Sequence, residues 1–561
     1  MYPRPLPLYV GAMPISRTEP GHAARDARFR RSLSSLAAHD RRRFLLAMGG
    51  GAAGLAFALQ LPATAAFAAD RGRAAFDYPF RMGVASGDPT TDSVVLWTRL
   101  APEPLAPLAG MVPGLAVEVK WQVATDEGFR RVVASGSEEA VAEYAYSVHA
   151  DVRGLRPGTA YWYRFSAGGH LSEPARTRTA PAAGTMPAMR YAFASCMNYR
   201  AGYFQTMADI GAHELDMVFF LGDYLYEYPV QQINPGRQIP AGLPAELAVE
   251  TTTLDQYRLR YALYNSQPEV IAAHRHVPWA VMWDDHEVWD DYQATTEAQL
   301  LRQAAAYRAF WEHMPLRLPQ RPSGPDARLY RRLRWGGLAQ FDMADARQYR
   351  SAALTPNTIP DSPARRDPAR SILGDAQERW LRDGLTATPA RWNIVPQGVL
   401  MALTNTASST TAAPTYSAHN WDGYRASQQR LFDAVRAART GGDLKNFVVL
   451  TGDVHCGYVS ELPSDLDVPE SAPLGVEFTS LSITSAQDFN PAANEARQVR
   501  RRVNPQMKWA DLHCGYVITD LTADRMKVYY KGVDKVTSPD DPVYTLKKFA
   551  VENGDPHIHS A

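Results

Sequence analysis

Cysteine is scarce in this chain of 561 residues: three of them (Cys196, Cys456 and Cys514) cannot build a disulfide scaffold. Net charge is missing too, with 59 basic residues against 59 acidic ones. The balance is uneven, because residues 1–69 hold nine arginines, no lysine and three acids. The rest of the chain is therefore net acidic, which argues against a nucleic-acid-binding body. Past residue 69 no apolar run is long enough to span a bilayer. Solenoid-type repeats are also lacking; HCGYV occurs at residues 455–459 and 513–517, and two copies make no array. What is abundant is core material, with 45% hydrophobic residues, 12 Trp and 27 Tyr. That implies a large folded core with little disorder, and the length suggests more than one domain.

Residues 40–46 read DRRRFLL, then comes AMGGGAAGLAFALQL and, at residues 66–68, AFA. The arginine pair Arg41–Arg42, the Gly-rich apolar stretch and the A-x-A site resemble a twin-arginine export signal. The alternative is a membrane anchor, but the stretch 44–61 is short and dilute in large apolar groups. Residues 1–69 are therefore expected to be a cleaved signal that engages the twin-arginine export machinery. The mature protein is expected to be periplasmic or secreted, monomeric and without a permanent membrane span.

Residues 77–182 read as a small all-β domain of fibronectin or immunoglobulin type. SVVLWTRL, VEVKWQVA, RVVASG and AYWYRFSA alternate or run apolar between Gly, Pro and Asp turns. RPGTAYWYRF has the pattern of a sandwich corner, where a Tyr near a strand start bonds back to backbone. The Ala/Pro-rich TAPAAGTMPA is a linker candidate. Over residues 187–535 short apolar strands (MRYAFASC, DMVFFLGD, AVMWDD, LAQFDMADA, WNIVPQGVLMA, NFVVLTGDVH) alternate with stretches of helical spacing such as LDQYRLRYALYNS and SQQRLFDAVRAA. That order predicts a layered α/β domain with its ligands at the strand ends. Residues 536–561 are left as a tail.

Four of these strands end in metal-ligand chemistry: Cys196 in FASCMNY, Asp223 and Tyr226 in LGDYLY, Asp284–Asp285–His286 in MWDDHE, and Asp453 and His455 in LTGDVH. Taken singly, each has an ordinary explanation, since a lone Cys is often a small core residue and a strand-end Asp often caps the next element. Together they point to a cation, because unpaired acids gathered at strand mouths repel one another without one.

FASCMNYRAGYF, FFLGDYLYEY, TLDQYRLRYALY, WDDHEVWDDY, ADARQYR and LTGDVH, with FRMGVASGDPTTDSVVLWTRL nearer the N-terminus, resemble the motif series of the PhoD-type alkaline phosphatases. These are metallophosphoesterases related to the purple acid phosphatases. The resemblance implies a layered β-sandwich core flanked by helices. It implies Fe(3+) on Cys196, Asp223, Tyr226 and His455, and Ca(2+) on Asp223, Asp285 and Asp453. Hydrolysis of phosphate monoesters and diesters would follow by attack of a metal-held water on phosphorus. His286 is implied as proton donor to the leaving group, while Arg347, Arg350 and, more weakly, Asn198 are candidates to bind a phosphate oxygen. For either arginine a structural salt bridge is the alternative. The family commonly has Asn after W-D-D-H-E-V, where this chain has Trp289, Asp290 and Asp291, so one calcium ligand stays open. Activity directed mainly at lipid or wall-polymer diesters is the competing function, and a non-enzymatic binding role is the third. Cys456 and Cys514 each precede Gly-Tyr-Val and would lie side by side at a sheet edge; two buried thiols are expected before a bridge.

Overall fold

The structure, a computed structural model, describes residues 76–561, so the expected export signal lies outside the described residues. Ten strands form the larger sheet. Their spatial order is His559–Ser560, Tyr544–Glu552, Arg525–Val533, Cys514–Leu521, Met189–Ala194, Met217–Leu221, Trp279–Met282, Val84–Gly87, Ser93–Arg99 and Ser147–Arg153. Seven strands face it: Arg331–Trp335, Ala339–Met343, Trp392–Gln397, Asn446–Thr451, Val468–Thr479, Gly457–Asp465 and Met507–Asp511. Phe341 of the second sheet meets Phe219 and Tyr191 of the first, with ring centroids 4.5 and 5.7 Å apart. The central strands run parallel in each sheet. Buried on both faces, they read as continuous apolar runs such as MVFFL and NFVVLT rather than as alternation.

Helices complete the layers. Gly374–Thr386 and Arg425–Gly441 bury Leu381, Leu385, Leu431 and Phe432 against the outer face of the seven-stranded sheet. Leu254–Asn265 and Glu297–His313 each start from a capping box, Thr253 with Gln256 and Thr296 with Gln299, which satisfies amide donors that a helix start leaves open. Three helices lacked a legible stripe: Gln205–Ala212 and Pro268–Arg275 are short, and Pro491–Arg502 buries no residue.

The N-terminal domain is all-β as expected, but only one of its two sheets is its own. Val132–Ala140, Val117–Ala124, Ala160–Ala167 and His170–Leu171 form that sheet, with Ala175–Arg178 also paired to Ala160–Ala167. The other is shared, since Val84–Gly87, Ser93–Arg99 and Ser147–Arg153 end the ten-stranded sheet. Gly87 pairs in parallel with Trp279, and Asp88 N–H donates to the Trp279 carbonyl at 3.1 Å. Arg331 bonds Asp88 at 2.8 Å, and Trp97 Nε1–H donates to the Glu312 carbonyl at 3.0 Å. Tyr161 supplies the expected corner bond, its hydroxyl accepting Arg156 N–H at 2.9 Å.

Two expectations are corrected. The segment left as a tail carries Tyr544–Glu552 and His559–Ser560, which extend the large sheet. Its lysines, Lys547 and Lys548, lie in the last long strand of the sheet and hid the strand from a reading based on apolar runs. The two HCGYV copies open strands in different sheets, and all three cysteines are free and buried. Cys456 lies 3.1 Å from the Asp511 carbonyl and Cys514 3.2 Å from that of Gln487.

Candidate metal centre

Parallel strands from both sheets deliver the expected ligands to one crevice. Met189–Ala194, Met217–Leu221 and Trp279–Met282 are neighbours, and beyond them lie Cys196, Asp223 and Asp284–Asp285–His286. Asn446–Thr451, in the facing sheet, leads to Asp453 and His455. Carboxyl ends of parallel strands are where an α/β fold leaves room for ligands. Five residues there hold left-handed backbone, with φ of +62° at Cys196, +56° at Asp223, +51° at Asp291, +65° at Asp453 and +51° at His455. Side-chain-bearing residues rarely adopt this conformation, and its clustering marks a site where aiming side chains outweighs local strain. Gly222, at φ +100°, lets the chain turn against Asp284, which a Cβ would strike.

Ligand atoms of Cys196, Asp223 and His455 lie within 4.8 Å of one another, and those of Asp223, Asp285 and His286 form a second such group. Asp223 belongs to both. Tyr226 joins the first group, its hydroxyl 3.0 Å from Asp223 Oδ2, 2.9 Å from His455 Nε2 and 2.8 Å from Ser485 Oγ. Asp453 stands at the second through Arg347, which donates to Asp453 and to Asp284 Oδ2 at 2.8 Å and reaches Asp285 at 3.5 Å.

The electrostatics are those of a site short of positive charge. Burial, with the Asp223 carboxylate adding to it, holds the Cys196 thiol and the Tyr226 phenol well above their ordinary pKa values. Burial likewise raises Asp223 well above the carboxylate range, with Asp285 and Asp284 adding and His286 opposing. Asp453 and Glu287 are each pushed up to about 7, chiefly by burial. His455 is pulled down to about 4 by burial and by His286, which leaves its imidazole neutral. Thiol, phenol, neutral imidazole and crowded acids share one demand, a cation that favours their ligating forms. The donors fit two kinds of ion. Sulfur, phenol and imidazole suit a transition metal, and the side made of carboxylates suits a hard cation.

The two arginine candidates are engaged inside the protein. Arg347 takes the salt-bridge alternative, donating to Asp284 at 2.7 and 2.8 Å, Asp291 at 2.8 Å and Asp453 at 2.8 Å. Arg350 donates to the carbonyls of Asp291, Tyr292 and His419 at 2.8, 3.1 and 3.3 Å. Both hold the site's walls. Asn198 remains at the crevice, its Oδ1 accepting Arg200 N–H at 3.3 Å. His286 sits in the second ligand group, its Nδ1 2.8 Å from Glu227 Oε2. Burial alone would strip its proton; Asp285, Asp223 and Glu227 outweigh that and raise its pKa well above the ordinary value.

Sequence reasoning missed several members. Glu287 accepts the N–H groups of Asp223, Tyr224 and Asp284 at 3.1, 2.6 and 2.9 Å, pinning two ligand loops together. Its place inside WDDHE was a signal. Ser485, 2.9 Å from the Cys196 carbonyl, arrives from a distant loop and had none. His419 lies 2.8 Å from Asp291.

Two facing sheets with cation ligands at their strand ends define a metallophosphoesterase-like phosphoric ester hydrolase. The chain is 40% identical over 524 residues to Alkaline phosphatase D of Bacillus subtilis (strain 168), an alignment covering 91% of this chain and 88% of that one. A solved structure of PhoD shares 39% identity with a TM-score of 0.80, covering 86% of this chain and 92% of that one. The purple acid phosphatase PPD1 of yellow lupin (Lupinus luteus), 12% identical with a TM-score of 0.51, covers 85% of this chain and 74% of its own and shares the fold. Residues 191–530 match the PhoD-like phosphatase family and residues 65–181 its N-terminal domain, and the chain belongs to that family.

Proposed function

We propose that this protein is exported folded by the twin-arginine route and hydrolyses phosphate monoesters and diesters in the periplasm or outside the cell, at a site for ferric iron and calcium. The observation carrying this reading is the pair of donor groups that share Asp223. Cys196, Asp223, Tyr226 and His455 would hold the iron, and Asp223, Asp285 and Asp453 the calcium. Bound there, the cations supply neutralisation of phosphoryl charge and acidification of water. The chain supplies the rest. Glu227 occupies His286 Nδ1, so Nε2–H is the proton left for the departing alkoxide. Arg347 holds Asp284, Asp291 and Asp453 in fixed positions. Asn198, beside Cys196, offers an amide to a phosphoryl oxygen. Insertion of cofactors before translocation suits a route that carries folded proteins, and the Arg41–Arg42 pair suits that route.

The test assays purified mature protein on p-nitrophenyl phosphate and bis(p-nitrophenyl) phosphate, with metal content measured alongside. Turnover of both esters, abolished by calcium chelation and restored by calcium with iron retained, is the expected result. Activity that survives exhaustive chelation would assign the second site to another ion. A fully active, iron-free preparation would overturn the ferric assignment.

A further inference from the structure

The helix Leu254–Asn265 buries a polar face. Tyr257, Arg260, Tyr261, Tyr264 and Asn265 recur at the three- and four-residue spacing that puts side chains on one side of a helix, and all five are buried. Leucine or valine would serve plain packing better, because a hydroxyl or guanidinium taken out of water costs free energy unless it is hydrogen-bonded. What those polar tips bond to is therefore informative.

Most of their partners lie in the loops that carry the candidate metal ligands. The Tyr264 hydroxyl oxygen accepts the amides of Tyr199 at 2.9 Å and of Tyr226 at 3.3 Å. Tyr199 comes shortly after Cys196, so one phenol ties the Cys196 loop to the Asp223–Tyr226 loop. Arg260 Nη1 donates to the Tyr226 carbonyl at 3.3 Å and also to that of Tyr228, so this helix holds both backbone groups of Tyr226. Asn265 Oδ1 accepts the Tyr224 hydroxyl at 2.8 Å. Nearer the helix start, Tyr257 donates its hydroxyl to the Val288 carbonyl. Val288 N–H in turn donates to the Asp285 carbonyl at 2.8 Å, which puts that contact in the loop of Asp285 and His286. Tyr261, between the other two tyrosines, has its hydroxyl buried without a partner among the described residues.

We propose that Tyr264 is a positioning residue for the transition-metal side of the centre and Tyr257 one for the hard-cation side. Tyr264 sets the spacing between the loops that bring Cys196 and Tyr226 together, and Tyr257 fixes the turn that aims Asp285 and His286. Three ligand loops are thus hydrogen-bonded to one rigid element, which keeps their donors at a fixed spacing. The identity of each ion rests on the function proposed above, whereas the holding of the loops rests on hydrogen bonds within the chain. Tyr264→Phe keeps the ring but leaves two buried amides without their acceptor, and each then carries its full desolvation penalty.

Hydrogen exchange of the full mature protein, read residue by residue, tests this, with iron and calcium measured on the same samples. The Tyr199 and Tyr226 amides lie outside any strand or helix, yet in the wild type they should exchange as slowly as the adjoining strands. Fast exchange there would overturn the positioning role without any variant. Tyr264→Phe should speed those two amides, and the release of iron to a chelator, by roughly tenfold each. Exchange over residues 285–291 and calcium affinity should stay as in the wild type. Tyr257→Phe should do the reverse, loosening 285–291 and weakening calcium with iron retained. Tyr261→Phe removes a hydroxyl that is equally buried but unpartnered, and it should change neither side. If Tyr264→Phe leaves both amides protected, or if all three variants soften the three loops alike, the positioning role is overturned and the face is ordinary packing. Wild-type protein without iron would remove the ferric reading alone, and the exchange pattern then decides the positioning role by the same criteria.

Discussion

Glu227→Gln asks whether His286 is kept protonated by its neighbours. Glu227 is 1% exposed, with Oε2 2.8 Å from His286 Nδ1 and Oε1 accepting Asp290 N–H at 2.8 Å. Gln keeps the shape but removes the charge, and it has one acceptor oxygen for two donors. A hydrogen bond to a charged group contributes about 1.5–3 kcal/mol. At about 1.4 kcal/mol per pKa unit, losing it should lower the His286 pKa by about 1–2 units. The sign follows from the protonated form being the proton donor: the alkaline limb of the rate profile marks loss of that proton, so it moves to lower pH. The stability His286 contributes is present below its unfolded pKa and lost as pH rises through the folded one, so that loss also moves to lower pH. The assay is kcat/KM against pH under calcium saturation, on an alkyl phosphate whose poor leaving group needs the proton and on p-nitrophenyl phosphate, which needs it less. An alkaline limb that stays in place would refute the reasoning, and an equal loss on both esters at every pH would make Glu227 structural.

Other substitutions separate the remaining assignments. Mature protein with a phenolate on ferric iron should be coloured, and Tyr226→Phe should bleach the absorption band; a colourless wild type that contains iron would count against Tyr226 as ligand. Asp223→Asn should reduce both metals in elemental analysis, whereas Asp285→Asn should spare the iron, because Asp223 alone sits in both donor groups. Asp422 is pushed up to about 7 by burial, against the opposing Arg365, so its stabilising contribution is present in acid and lost as pH rises through 7; Asp422→Asn should flatten the change in denaturation midpoint between about pH 5 and 8. Replacing Arg41 and Arg42 by Lys should leave folded protein in the cytoplasm with its signal attached, and normal export would point to another route.

Much of the candidate centre was legible because its candidate ligands sit at strand ends, and strands that are buried on both faces announce themselves as apolar runs. MVFFL ahead of Gly222–Asp223 and NFVVLT ahead of Asp453 made the ligand positions readable before any geometry. The arginines were harder. A guanidinium near acids satisfies phosphate binding and salt bridging equally well in a sequence, and only distance shows that Arg347 pairs with Asp284, Asp291 and Asp453. Ser485 was illegible for another reason: a hydroxyl 259 positions from Tyr226 leaves no local pattern. The strand Tyr544–Glu552 escaped because its outer face is exposed, so periodicity is weak where the sheet ends.

The pairing of Gly87 with Trp279 also bears on how this chain can be cut. The strand Trp279–Met282 runs straight into Asp284, Asp285 and His286, and its outer neighbour belongs to the N-terminal domain. Expressing residues 187–561 alone would strip that neighbour away and leave a short, wholly apolar strand as a bare rim. Unsatisfied rims recruit strands from other molecules, so such a fragment should clump through the very segment that carries its acids. The N-terminal domain thus serves as a guard rail for the catalytic half, and shortening this enzyme from that side would trade solubility for size.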